Sequence, residues 1–223
     1  MRINIAIDGP SASGKSTLAK KLAQRLGYRH LDTGAMYRAC AYNAYIQHID
    51  LEDESSVLEM LSHMVLSFNT EGHILSNGED LDSKIRTKEI DLLTSKISKL
   101  EKIRANLVEQ QRKIASDKGY ILDGRDIGSV VLPDAEIKIF QTASIESRAK
   151  RRCLEYQNKG IQVNYQTIYE EIKLRDLQDS TRLHSPLIKV KDSIEIDTSH
   201  LSIEETVDRI LVLVNLIVTK EQK

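Results

Sequence analysis

"INIAIDGPSASGKST", residues 3–17, is the stretch on which the fold turns. Its first five residues are a short β-branched run closing on Asp8 and Gly9, which predicts a short buried strand. From Lys15 the pattern is helical: Leu18, Leu22 and Leu26 recur at a four-residue step until Gly27 ends it. The turn between them, "GPSASGKS", fits G-x-x-x-x-G-K-[ST] and stands between strand and helix, where its chemistry requires it. Its glycines let backbone N–H groups curl around phosphate oxygens, and the helix adds the positive end of its dipole. Lys15 supplies a mobile cation, and Ser16 a hydroxyl suited to Mg2+. The predicted ligand is a magnesium-bound nucleoside triphosphate, held by Gly9, Pro10, Ser11, Ala12, Ser13, Gly14, Lys15, Ser16 and Thr17.

Outward from this turn, strand-like and helical stretches alternate. "YRHLDTG" precedes a helix from about Ala35 to Gln47, and "GYILDG" (119–124), "EIKIFQT" (136–142) and "SIEIDTS" (193–199) read as further short buried strands. Ser202, with Glu205 three residues on, predicts a capping box at the start of the last helix. The alternation predicts an α/β fold with a mostly parallel sheet covered on both faces. Residues 65–81 break the rhythm, because turn signals at Glu71-Gly72 and Asn77-Gly78 separate short alternating strands. They predict a small antiparallel, β-rich insertion.

Bulk properties narrow the function. The chain has 223 residues, 32 basic and 33 acidic, and its formal charge of −1 gives no global field to recruit nucleic acid or an anionic membrane. The N-terminus lacks the long apolar segment of a signal peptide, and "ILVLVNLIV" (210–218) is too short to span a bilayer. A cytoplasmic protein with two reduced thiols, Cys40 and Cys153, is expected. The six histidines have no ligand spacing. Guanine-reading text of the Asn-Lys-x-Asp kind is missing, since "QNKG" (157–160) lacks the Asp. A phosphotransferase acting on a small anion should instead be rich in well-placed arginines, and this chain is.

Beside the turn stand "LDTGAMYR" (31–38), "IRTKE" (85–89), "DGRDIGSVVLPDA" (123–135), "RAKRR" (148–152) and "RDLQDSTR" (175–182). Together they resemble bacterial cytidylate kinase, a nucleoside monophosphate kinase family, over nearly the whole chain. The resemblance implies one P-loop kinase domain over residues 1–223, built on a five-stranded parallel sheet with helices on both faces. A monophosphate-binding region at about 33–97 would include the β-rich insertion (about 57–97), and a helical lid would cover about 145–182. ATP and CMP, with dCMP a second acceptor, are the implied substrates, Mg2+ the implied ion and a monomer the implied state.

The chemistry can be built from the residues as well. An acceptor that is already a phosphate is anionic, so cations must offset the repulsion between two anions; Arg38 and Arg125 suit a fork onto the acceptor phosphate. Asp123 ends a strand where a carboxylate can hold Mg2+ through water, or cap the next turn. Cytosine presents a donor amine beside an acceptor nitrogen and uracil the reverse, so Asp126 with Arg104 and Arg182 can tell them apart, and Thr33 adds a hydroxyl. A plain surface role for Arg104 fits its local sequence equally well. The resemblance places Ser95, Arg175 and Asp179 on the ribose hydroxyls, and Lys15, Asp123, Arg125 and Arg182 at the transfer itself. On a helix Arg175, Asp179 and Arg182 share one face, which reads either as a self-tied solvated surface or as a pocket wall. Arg148, Arg151 and Arg152 share another, suited to closing over ATP, with the one that reaches the phosphates left open. The rival readings are a kinase for UMP or another small anion and a nucleotide-binding switch without transfer activity.

Overall fold

The computed structural model describes residues 2–158 and 160–220. In chain order its elements are β1 (Ile5–Asp8), α1 (Lys15–Leu26), β2 (Arg29–Asp32), α2 (Thr33–Ile46), α3 (Glu54–Ser62), β3 (Leu66–Phe68), β4 (Ile74–Ser76) and β5 (Glu79–Asp80). There follow α4 (Lys88–Ile97), α5 (Glu101–Ile114), β6 (Tyr120–Gly124), β7 (Ile137–Thr142), α6 (Ile145–Asn158), α7 (Tyr165–Thr181), β8 (Ile194–Asp197) and α8 (Ile203–Lys220). The chain divides into two compact units. One holds the residues up to His30 and from Lys118 onward; the other is Leu31–Asp117.

The first unit carries the parallel sheet, in the order β2-β6-β1-β7-β8. β1 is central, with Ile7 opposite Asp123 and Asp8 opposite Gly124 on one side and Phe140 opposite Asp8 on the other. Its isoleucines pack with Leu18 and Leu22 of α1 and with Val207, Ile210 and Val214 of α8 into one apolar core. The periodic leucines of α1 thus face the sheet, and Gly27, at φ +63°, ends that helix in the left-handed region. The capping box forms as read: Glu205 N–H donates to Ser202 Oγ, and the Glu205 carboxylate accepts from Ser202 N–H. A smaller core of Ala149, Tyr156, Ile168 and Ile172 joins α6 to α7. On the face of α7 opposite Asp179, an open cavity of about 710 Å3 is lined by Leu174, Leu177, Phe140 and Ile145.

In the second unit the three-stranded sheet β3-β4-β5 is antiparallel. Its turns lie where the sequence marked them, with Gly72, Asn77 and Gly78 all at positive φ. The strands occupy only residues within 66–80; helices α3 and α4 flank them. Asp32 caps α2, accepting from Ala35 N–H at 2.9 Å, so that helix begins at Thr33, earlier than the sequence suggested.

Candidate active site

The phosphate-type turn is built around contacts that only glycine permits. A Cβ on Gly9 would lie 2.0 Å from the backbone oxygen of Gln141 in β7, and Gly14, at φ +92°, enters α1 in the left-handed region. The Gln141 side chain, wholly buried, donates its amide to the Ser13 carbonyl, so one residue of β7 backs the loop twice. Lys15 is buried and folds back, its ammonium donating to the Pro10 carbonyl at 2.6 Å and to Ser13 Oγ at 3.2 Å. Burial, helped by the nearby Arg125 charge, pushes the Lys15 amine well below its ordinary pKa. An incoming polyphosphate reverses that balance, because an adjacent anion favours the ammonium form.

Ser16 Oγ donates to Asp123 Oδ2 at 2.7 Å, joining the turn to β6. Asp123 is buried, and its other oxygen lies 2.6 Å from His30 Nε2. Burial works against its charge, yet His30, Ser16 and Lys15 hold the carboxyl below the usual value. Asp123 thus ties the phosphate turn to His30 of β2. A hydroxyl and a carboxylate in contact are hard oxygen donors, the set that suits Mg2+ when phosphates and water complete the shell. No group of three or more His, Cys, Asp or Glu side chains poised for a metal exists among the described residues.

Directly after β6, Arg125 Nε donates to Asp179 Oδ2 at 2.7 Å, and Arg175 Nε approaches Asp179 Oδ1 at 3.4 Å. Burial raises the cost of that carboxylate, but Arg125 and Arg175 keep Asp179 below its usual range. Arg182 Nη2 stands 3.7 Å from Asp126 Oδ1. The structure thus gathers Arg125, Asp126, Arg175, Asp179 and Arg182 into one charge cluster. One detail differs from the sequence reading: α7 stops at Thr181, and Arg182 is its extended C-cap at ψ +144°. The helix ends because Leu187 N–H satisfies the Asp179 carbonyl at 2.7 Å while Arg182 Nε turns to the Ser185 carbonyl at 2.6 Å.

The arginines of α6 divide. Arg148, 4 % exposed, donates to the carbonyls of Ala143 (2.9 Å) and Ser11 (3.1 Å) and pairs with Asp176 at 2.6 Å. Arg151 donates to the Ser13 carbonyl at 3.0 Å and to the Thr198 carbonyl. Both therefore sit on the backbone of the phosphate turn. Arg152 lies over the Tyr156 ring at 5.0 Å and bonds Glu155 at 3.1 Å.

In the second unit Thr33 is buried at the start of α2, and Arg38, one turn on, donates to Asp91 of α4 at 3.0 Å. Ser95 follows one turn after Asp91 and is half-buried. Arg104 of α5 is only 4 % exposed, stacks over Tyr37 at 5.4 Å and donates to the Ser98 carbonyl at 3.1 Å. The surface reading of Arg104 does not hold.

Comparison with known proteins settles the family. The family model described as cytidylate kinase matches residues 5–216. The chain belongs to the cytidylate kinase family. It is 46 % identical to a cytidylate kinase of Lactobacillus gasseri, over 99 % of this chain and 96 % of that protein. A cytidylate kinase of Bacillus cereus is also 46 % identical (98 % and 99 % covered), and one of Caldicellulosiruptor saccharolyticus 45 % (99 % and 99 %). Among solved structures, an uncharacterized protein from Eubacterium ventriosum shares the fold at a TM-score of 0.53 and 17 % identity, covering 96 % of this chain and 99 % of that one.

Proposed function

We propose that this member of the cytidylate kinase family, which moves the γ-phosphoryl group of ATP to CMP to give CDP and ADP, does so with the residues its sequence singles out. The relatives named cytidylate kinase at 46 % identity carry the activity and disfavour the UMP-kinase and switch readings. ATP lies on residues 9–17, with Lys15 drawn from the Pro10 carbonyl onto the terminal phosphates. Ser16, and Asp123 through water, would hold Mg2+. When bound, that ion neutralises charge on the β- and γ-phosphate oxygens. A phosphate oxygen of CMP attacks the γ-phosphorus in line, the bond to the ADP oxygen breaks, and the protein contributes alignment and positive charge.

Arg125 and Arg38 receive the acceptor phosphate, and Arg182 serves the transfer. Asp126, Arg104, Arg182 and Thr33 read the base; Ser95, Arg175 and Asp179 hold the sugar. The observation that supports this most directly is the cluster in which one carboxylate, Asp179, engages both Arg125 and Arg175. It keeps two guanidinium groups ordered where anions must meet. Arg148, Arg151 and Arg152 contribute on the ATP side, the first two by holding the carbonyls of Ser11 and Ser13. dCMP is a second acceptor. A cytoplasmic monomer completes the proposal. Both cysteines are free, and no helix of the described residues is long and apolar enough to cross a membrane.

A coupled assay of ADP formation with ATP, Mg2+ and CMP, dCMP, UMP and AMP tests the acceptor, with CMP expected fastest. Asp126→Ala should cut the CMP-to-UMP ratio by roughly 5- to 150-fold, one base contact's worth of discrimination. An unchanged ratio would place base reading elsewhere.

A further inference from the structure

Asp8 closes β1, is 5 % exposed, and plays no part in the chemistry described so far. Its two carboxylate oxygens accept separate backbone N–H bonds, from Ile127 and from Gly128, each at 2.7 Å. Those amides open the π-helical turn Ile127–Val131, and such a turn leaves its first N–H groups without partners of its own. The residue placed to cap that turn is Asp126, yet its side chain makes no capping bond. The cap comes instead from a strand 119 and 120 residues away in sequence.

Gly128 lies close under its neighbours: a Cβ there would touch Asp8 Oδ2 at 3.4 Å, an ordinary contact, and stand 3.2 Å from Cδ of the Lys138 stem. The same Asp8 is covalently joined to Gly9, the first residue of the ATP turn.

We infer that Asp8 is a positioning residue for the transfer, its bidentate grip on Ile127 and Gly128 holding Arg125 and Asp126 in register with the ATP turn. With Asp8 capping the turn from β1, the Asp126 carboxylate is released to face Arg182. The inference rests on the acceptor roles proposed for Arg125 and Asp126.

Charge on Asp8 matters to the grip, because a protonated carboxyl keeps one good acceptor oxygen and turns the other into a donor. Burial, which outweighs the two amide bonds, pushes the Asp8 pKa up to about 6. The charged groups facing it are Asp126, which raises it further, and Lys15, which lowers it, with the Lys138 stem lying over Gly128. Below that value one of the two amides loses its acceptor.

The experiment compares Asp8→Asn, Gly128→Ala and Asp126→Ala with the parent enzyme, measuring KM for CMP and for ATP from pH 5 to 8. Asp8→Asn should raise KM for CMP about tenfold at pH 7.5 while KM for ATP stays within about twofold, and Gly128→Ala, which leaves both Asp8 oxygens and both amides in place, should change KM for CMP far less. The rise in KM for CMP that the parent shows on acidification should be smaller in Asp8→Asn; referring each profile to the parent removes the titration of CMP itself. In the ligand-free parent, the 15N–1H signals of Ile127 and Gly128 should titrate together near pH 6, a measurement that needs no variant to fold. Normal CMP kinetics in Asp8→Asn, or Ile127 and Gly128 signals that do not titrate, would overturn the inference. If Asp126→Ala alters KM for CMP while Asp8→Asn does not, the clamp fails and the acceptor assignment survives. If neither variant alters it, both fall.

Discussion

Replacing Gly9 by alanine tests how the ATP turn is seated. The added Cβ would lie 2.0 Å from the Gln141 carbonyl oxygen and 3.1 Å from its carbon. These are backbone atoms of β7, whose residues pair with β1 on one side and β8 on the other, so they cannot withdraw. Gly27→Ala is the natural control: φ there is +63°, but nothing stands within 4 Å of the new Cβ. The control therefore carries only the left-handed backbone cost, about 1 kcal/mol. Gly9→Ala carries a backbone cost as well as overpacking against a fixed strand, together about 2–5 kcal/mol. At roughly 2–4 °C per kcal/mol for a chain of this length, Tm should fall about 2–4 °C for Gly27→Ala and about 4–20 °C for Gly9→Ala. Calorimetry of both variants, with ATP turnover measured alongside, checks this. Equal Tm shifts with ATP turnover intact in Gly9→Ala would refute the claim that the turn is seated directly on the Gln141 carbonyl.

Lys15→Ala should reduce transfer by at least about a thousandfold with the far-UV circular dichroism unchanged, since its loss removes a preorganised cation from the phosphates. Chelation with EDTA should stop ADP formation and added Mg2+ restore it, and Ser16→Ala should shift the Mg2+ titration of activity to higher concentration. Asp179→Asn strips Arg125 and Arg175 of a shared carboxylate and should cost about 3 kcal/mol of unfolding free energy, read by urea denaturation. Because the folded Asp179 carboxyl lies below its ordinary 3.8, its ionised form is favoured by folding. That contribution is complete above about pH 4 and is lost as pH falls through the depressed value, so the parent–variant gap should shrink only in acid.

What the sequence disclosed, it disclosed through local rules. Strand, glycine turn and helix at residues 3–27, the Asn77-Gly78 hairpin turn and the Ser202–Glu205 box each depend on neighbours within a few positions. Contacts that span the chain left no such trace. Nothing near Asp8 hints that its carboxylate serves residues 127 and 128, and His30 gives no sign of Asp123, 93 residues away. Gln141 reads as an ordinary strand residue until β7 lines up behind the turn. For Arg104 the polar helix around it leaves base pocket and surface equally open, and only Tyr37 and the Ser98 carbonyl, which take it inside, remove the second. The end of α7 was misplaced for a similar reason: Leu187, beyond Pro186, returns to close the last turn.

Arg148 carries a consequence for how this protein tolerates change over generations. Two of its three partners, at Ser11 and Ala143, are main-chain oxygens that every substitution at those positions leaves in place. A lineage that loses the guanidinium can relieve the stranded Asp176 carboxylate by one exchange, but no exchange at Ser11 or Ala143 restores the two main-chain bonds. Lysine brings one point of charge to three acceptors arranged for a planar fork. A selection for suppressors of Arg148→Ala should return true revertants at full activity, with exchanges at Asp176 recovering only part of the loss.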